Sequence, residues 1–367
     1  MSQRPVIHVH GEITLGEGRE YGDVWIEDGR ISLTRPSGLT ADMDRIDGYA
    51  FPGLVDVHCH IGLAADGAVT DTEAQDQAIA DRDSGVLLVR DAGSPLDTSW
   101  VAGRPDLPRL IRAGRHIARP KRYLRGFGDE LEDVEQLPDA VAREATRGDG
   151  WVKVVADWID RDHGDLTPLW PDDLLAEAVR RAHANAARMT VHTFSTEAVG
   201  AALAAGVDCI EHGTGMTADH IAEAAVRGVP VTPTLLQVAQ FEQIAAQADG
   251  RFPAFAARMR AMHVRRYEQV RQMYEAGVRI LVGTDAGGTI EHGQIARECA
   301  ELVAAGVPAA DVVAAASWRT RAYLGAGEVV EGASADLVVY AEDPRTDIDV
   351  LRSPHAVILR GVRYTQA

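Results

Sequence analysis

Along the first 50 residues apolar and polar positions alternate in short stretches, as in VIHVHGEI and YGDVWIEDGRISL, which predicts half-buried β-strands. The EDGR tetrapeptide between two such stretches predicts a hairpin turn. The last 40 residues have the same character: GEVVEGASADLVVYAEDP leads through DPRTDI to PHAVILRGVRYT. Both ends therefore predict short antiparallel strands, and together one small β-sandwich domain built from residues 1–50 and 326–367.

Between 51 and 325 the rhythm changes. Short apolar runs alternate with Ala-rich stretches whose apolar residues recur at spacings of three and four, the pattern of βα units around a parallel sheet. Eight strands are predicted: GLVDVHCH, GVLLVRDAG, RLIRAGRHI, WVKVVADW, MTVHTFS, CIEHGTG, VPVTPTLLQ and RILVGTDAGG. Helices are clearest in PDDLLAEAVRRAHANAA and FAARMRAMHVRRYEQVRQMYEAG. Eight such units make an α/β fold of the (β/α)8 TIM-barrel type, and a barrel of roughly 250 residues plus a satellite domain accounts for the 367 residues of the chain.

Composition narrows the partners more than the fold. The chain is 46% hydrophobic and 25% charged, as globular proteins are, and no apolar run approaches the ~20 residues of a membrane span. Lys and Arg number 37 against 55 Asp and Glu, a net charge of −18 that repels nucleic acid and anionic membranes. The opening MSQRPVIHVHGEI lacks a basic and apolar leader, so a cytoplasmic protein is expected. The expected partner is a small-molecule substrate, with self-association into a homo-oligomer left open. Cys59, Cys209 and Cys299 fit neither a disulfide framework nor a CxxC zinc motif, and are expected as reduced thiols in or near packed strands.

The chemistry lies at the C-terminal ends of the predicted strands, which a (β/α)8 barrel gathers at one mouth. His58 and His60 end the first strand, where a period of two points both to the same side and turns Cys59 away. His192 ends the fifth, His212 the sixth, and Asp285 follows the eighth. Neutral imidazoles and a carboxylate are ligands for zinc and similar cations, and a buried carboxylate needs such a partner. Each alone has a plain structural alternative; the joint pattern over five positions does not.

These segments resemble the amidohydrolase superfamily, particularly its imidazolonepropionase-like and prolidase-like branch. FPGLVDVHCHIGL resembles the first-strand signature, VHTFS, IEHG and GTDAGG follow in the family's order, and the EGASADLVVYAEDPRTDIDVLRSPHAVILRGV tail resembles its C-terminal β closure. The resemblance implies two divalent ions, zinc first, with manganese or cobalt as substitutes. It assigns His58, His60 and Asp285 to the more buried ion, His192 and His212 to the second, and a carboxylated Lys153 as the bridge. It departs from the family at GRHIARPKRYLRG, where a GGH-type turn is expected, so peptidase specificity does not carry over. His116 and His292 are candidate substrate contacts, and Arg119, Lys121, Arg122 and Arg125 a candidate carboxylate-binding cluster.

The expected reaction is hydrolysis of a C–N bond, as in an amide, cyclic amide or peptide-like link, by metal-activated hydroxide. Asp285 would act as general acid and base, and His212 or the second ion would polarise the carbonyl. Alternatives are a mononuclear deaminase or isomerase in which Lys153 is structural, a lactone or ester hydrolase on the same barrel, and a binding barrel without turnover, against which the intact ligand set argues.

Overall fold

The computed structural model describes residues 6–37 and 43–364, so the opening MSQRP and the closing Thr365 of the predicted terminal strands lie outside the described residues. The two chain ends do meet. Seven strands form one hydrogen-bonded sheet in the order Val362–Tyr364, Ala356–Leu359, Leu337–Tyr340, Asp44–Pro52, Ile7–Gly16, Arg19–Glu27 and Arg30–Ser32. Their inward residues, among them Val9, Ile13, Val24, Ile46, Leu337 and Ile358, form an apolar cluster separate from that of the rest of the chain. The EDGR turn is as expected: Glu27 pairs with Arg30, and Asp28 (φ 50°) and Gly29 (φ 81°) take the left-handed conformations of a two-residue hairpin. The sheet is not wholly antiparallel, because Ile7–Gly16 runs parallel to Asp44–Pro52. Alternation fixes which face a residue takes; it carries no information on the direction of the neighbouring strand.

In the middle of the chain the pairing is parallel. Leu54–Cys59, Val86–Asp91 and Arg109–Arg112 form one sheet. Ile117–Ala118, Trp151–Val155, Arg188–Thr193, Cys209–His212 and Val231–Thr232 pair in that order in another. Helices follow most strands and cover them with a large apolar core. The two clearest helical stretches are the helices Asp172–Ala184 and Pro253–Glu275. Thr70 caps the helix Asp71–Asp83 in a reciprocal box with Glu73, and proline opens the helix Pro253–Glu275 at its first position.

Three predicted strands are shorter or looser than expected. RLIRAGRHI breaks at Gly114 (φ 71°) into Arg109–Arg112 and Ile117–Ala118, which belong to different sheets. In VPVTPTLLQ only Val231–Thr232 is extended; the proline stops the ladder, and Leu235–Ala239 is already helical. RILVGTDAGG forms no regular strand. It is held between its neighbours by single bonds, from Leu281 N to Val231 O (2.9 Å), from Val57 N to Val282 O (3.0 Å) and from Asp285 N to His58 O (2.6 Å).

Among the described residues no helix is long and apolar enough to cross a membrane. All three cysteines are buried free thiols; Cys59 and Cys209 lie on strands, and Cys299 lies on the helix Ile295–Ala304.

Candidate active site and metal centre

His58 and His60 leave the strand Leu54–Cys59 on one side, and Cys59 packs on the other, near Asp81 and His292. The ring nitrogens are fixed by what they face. His58 Nδ1 lies 2.8 Å from Oε2 of Glu211, and His60 Nδ1 lies 2.6 Å from the carbonyl of Gly93. Both partners can only accept, so both Nδ1 atoms carry the proton, and each Nε2 is turned inward. His212 repeats the pattern. Thr234 Oγ1 donates to Pro233 O and therefore accepts from His212 Nδ1 at 2.7 Å.

The inward Nε2 atoms converge on one oxygen: Asp285 Oδ1 is 3.2 Å from His58 Nε2 and 3.3 Å from His60 Nε2. Ligand atoms of His58, His212 and Asp285 all lie within 4.8 Å of one another. His192 approaches from the strand Arg188–Thr193, its ring centroid 4.7 Å from that of His212, and its buried Nε2 has no hydrogen-bond partner. Lys153, only 2% exposed, is buried and brings Nζ to 3.3 Å from His58 Nε2.

Burial pushes His60 below its ordinary range and His192 well below it, and takes His212 down to about 3. For His58 burial and the Lys153 ammonium act in the same direction, yet Asp285 and Glu211 outweigh them and hold it above. Burial also opposes ionisation of Asp285, but the charge of His58 and its hydrogen bond outweigh it and keep the carboxyl well below the usual range. A neutral imidazole whose proton sits on Nδ1 presents only a lone pair at Nε2. At His60 such a lone pair faces a carboxylate oxygen, a juxtaposition that a cation between them resolves. His192 Nε2, buried without a hydrogen bond and with Asp157 Oδ1 no nearer than 3.6 Å, argues the same way, so this donor set fits a divalent metal.

The site is braced from behind. Glu211 accepts hydrogen bonds from the Arg90 guanidinium and the Thr190 hydroxyl, and Arg90 also donates to Val57 O at 2.8 Å. Burial opposes the charge on Glu211, but Arg90 and His58 outweigh it and hold the carboxyl well below its ordinary range. Asp56 ties the first strand to the Asp285 segment, accepting from His58 N (3.0 Å), Thr284 N (3.2 Å) and Thr284 Oγ1 (2.6 Å). Asp157 accepts from the backbone N–H of Phe194 and of Ser195, fixing the turn that follows His192. None of these four carboxylate or guanidinium groups was among the expected site residues. The signal was present as a charge inside an apolar run, Arg90 in VLLVRDAG and Glu211 in CIEHGTG.

The backbone is unusual at the same places. His212 (φ 63°), Thr234 (φ 47°) and Asp285 (φ 59°) all take left-handed conformations, a clustering typical of functional sites. Gly283 lets the Asp285 segment pass close to the first strand, since a Cβ there would stand 2.6 Å from Cβ of His58.

His60, His192 and Asp285 form part of the lining of a cavity of about 600 Å³. The two expected substrate contacts are not on its lining. His116 is 1% exposed and packs behind, with its ring centroid 5.9 Å from His60 and 5.0 Å from Tyr123. His292 points to the helix Asp71–Asp83, where Nδ1 lies 2.9 Å from Asp81 Oδ2. The candidate carboxylate-binding cluster is not on the lining either. Arg122 donates to Asp160, Trp158 O and Thr167, Arg119 donates to Glu132 O, and neither of them nor Lys121 or Arg125 lines the cavity.

The sequence profile of the amidohydrolase family matches residues 49–363. An uncharacterized protein of Mycobacterium tuberculosis is 52% identical over 356 residues, covering 97% of this chain and 95% of the relative. Among solved structures, a Xaa-Pro dipeptidase with bound methionine superposes with a TM-score of 0.82 at 23% identity, covering 98% of this chain and all (100%) of that one. A candidate prolidase from Bifidobacterium longum gives 0.81 at 26% identity over 99% of this chain and 95% of its own. The ochratoxinase of A. niger gives 0.78 at 18% identity over 99% and 96%.

Proposed function

The chain belongs to the amidohydrolase family, hydrolases of carbon–nitrogen bonds, and from that premise we propose that it is a metal-dependent amide hydrolase working where His58, His60 and Asp285 converge. The observation that carries this reading is the convergence of two imidazole Nε2 atoms on Asp285 Oδ1, at 3.2 and 3.3 Å. In this reading the parallel strands form a (β/α)8 barrel over residues 51–325, and the terminal sheet, from 1–50 and 326–367, is its β-sandwich satellite.

His58, His60 and Asp285 would hold one divalent ion, and His192 and His212 a second, with zinc the first candidate. A divalent ion bound there would lower the pKa of water to about 7 and polarise a carbonyl oxygen. The protein supplies the rest. Asp285 Oδ1 faces the two imidazole Nε2 atoms at the place the ion would take, which leaves Oδ2 to accept a proton from the attacking water and pass it to the leaving nitrogen. His212 cannot donate to a developing oxyanion, because its only proton is committed to Thr234. We therefore read its part as that of a ligand, with the second ion polarising the carbonyl.

Lys153 would bridge the two ions as a carbamate. Burial lowers its pKa and favours the free amine. That amine can add CO₂, forming an N–C bond and releasing one proton, and the product replaces a repelled ammonium with an anion. The reading is tested by assaying a panel of amides with chelated and zinc-reloaded protein.

A further inference from the structure

The cavity carries information about the substrate that the ligand cluster does not. Resting on the amide-hydrolase reading above, we infer that the site takes neutral amides with an apolar, aromatic body and discriminates against dipeptides and N-acyl amino acids that carry a free carboxylate.

The walls are apolar and preorganised. Tyr123, Phe127, Trp158, Phe194, Phe255 and Met259 all line the cavity. Several of these rings brace one another: Tyr123 meets Trp158 edge to face at 4.8 Å, and Trp158 stacks on Phe194 at 6.1 Å and 29°. Phe194 in turn meets the buried ring of Phe241 edge to face at 4.8 Å. A wall of interlocked rings loses little freedom when an aromatic ligand docks, which favours flat apolar groups.

The polar part of the rim is uncharged. Gln237, Gln243 and Gln247 line the cavity from the consecutive helices Leu235–Ala239 and Phe241–Ala248, and Gln240 lines it from the turn between them. Their amides can pair with carbonyl, amide or hydroxyl dipoles but cannot neutralise a carboxylate. Among the described residues that line the cavity there is no lysine or arginine, and its one charged carboxylate is Asp285. Two nearby cations are committed elsewhere. Arg122 sits beside Tyr123 in the chain yet reaches Asp160 and Thr167, and Arg258, on the helix that supplies Phe255 and Met259, pairs with Asp165 at 2.6 Å. A carboxylate in the body of this cavity would be desolvated without a counter-ion and would meet the field of a chain of net charge −18. The volume of about 600 Å³ is that of a small-molecule site.

The test uses a matched pair, N-(phenylacetyl)aniline and its para-carboxylate, N-(phenylacetyl)-4-aminobenzoate. Calorimetry on the metal-free protein reads binding without turnover. The neutral amide is expected to bind at least tenfold tighter than the acid, and Gln243→Arg, which places a cation on an exposed rim position, is expected to narrow that ratio. With zinc-loaded protein the same order is expected in kcat/KM. Equal or tighter binding of the acid, or no binding of either, overturns the inference. Tight binding of the neutral amide without hydrolysis of any amide leaves the inference standing and overturns the hydrolase reading instead. Preferred hydrolysis of the acid does the reverse.

Discussion

His58 and Glu211 are joined by a 2.8 Å hydrogen bond between two residues that are 1% and 0% exposed, and the same carboxylate is held by Arg90. The bond sets the tautomer of His58 and so aims its Nε2 at Asp285. A glutamine at 211 keeps the shape but removes the charge that holds the Nδ1 proton and balances Arg90. Glu211→Gln is therefore expected to weaken zinc binding by about 10–100-fold, read by competition with a chromophoric chelator. It should also lower stability by about 3–5 kcal/mol in urea unfolding, because the Arg90 charge is left buried and unpaired. Unchanged zinc affinity would remove Glu211 from the positioning of His58.

Asp285 is expected to act as ligand and proton carrier together. Asp285→Asn should reduce turnover by about a hundredfold or more. Its effect on metal binding should be smaller than that of His58→Ala, since an amide oxygen can still coordinate. Steady-state kinetics beside metal analysis of the two variants separate these roles, and near-normal turnover in the asparagine variant would show that Asp285 carries no proton.

Lys153 decides between one ion and two. The parent should approach two metal equivalents per chain, and Lys153→Ala clearly fewer, because two dications repel strongly without a shared anion between them. A short carboxylic acid added to the alanine variant should restore part of the activity by filling the vacated place with a bridging carboxylate. Equal metal content in parent and variant would favour a single ion and a structural lysine.

Glu298 gives a pH test away from the metal ligands. Its carboxylate oxygens accept from Leu235 N (2.7 Å) and Leu236 N (2.9 Å), and burial pushes its pKa up to about 8 from an ordinary 4.5. Between those values the folded chain keeps a proton that the unfolded chain releases, so this group's contribution to stability falls as pH rises from about 4.5 to about 8. Glutamine does not titrate. The Tm of the parent minus that of Glu298→Gln should thus decrease between pH 5 and pH 8; a difference that stays flat or grows would contradict the raised pKa.

How much of this was legible in the chain can be traced residue by residue. His58, His60, Lys153, His192, His212 and Asp285 stand out because polar side chains at the ends of apolar strands are conspicuous, and the parallel order of those strands brings them to one place. The α/β alternation and the joining of the chain ends were legible for the same reason, a change of period. Glu211 was hidden by its neighbour: it adjoins His212, and nothing local says that it crosses to Arg90 and His58, 121 and 153 residues away. The loop after the third strand was open to two readings, an anion site or a solvated charge run. Its arginines suggested an anion site, yet Arg122 folds back on Asp160 and Thr167, and the adjacent Tyr123 faces the cavity. The parallel pairing of Ile7–Gly16 with Asp44–Pro52, and the single bonds that replace a ladder at 279–286, depend on tertiary neighbours that periodicity does not encode.

The central claim is that a metal held by His58, His60 and Asp285 makes this chain an amide hydrolase. The measurement that meets it most directly is the rate of amide hydrolysis by one preparation before chelation, after chelation and dialysis, and after zinc is returned. The account predicts a rate that falls to background in the metal-free protein and recovers with zinc, and no recovery in His58→Ala carried through the same cycle. Full hydrolytic activity in protein shown by elemental analysis to be free of metal would contradict it.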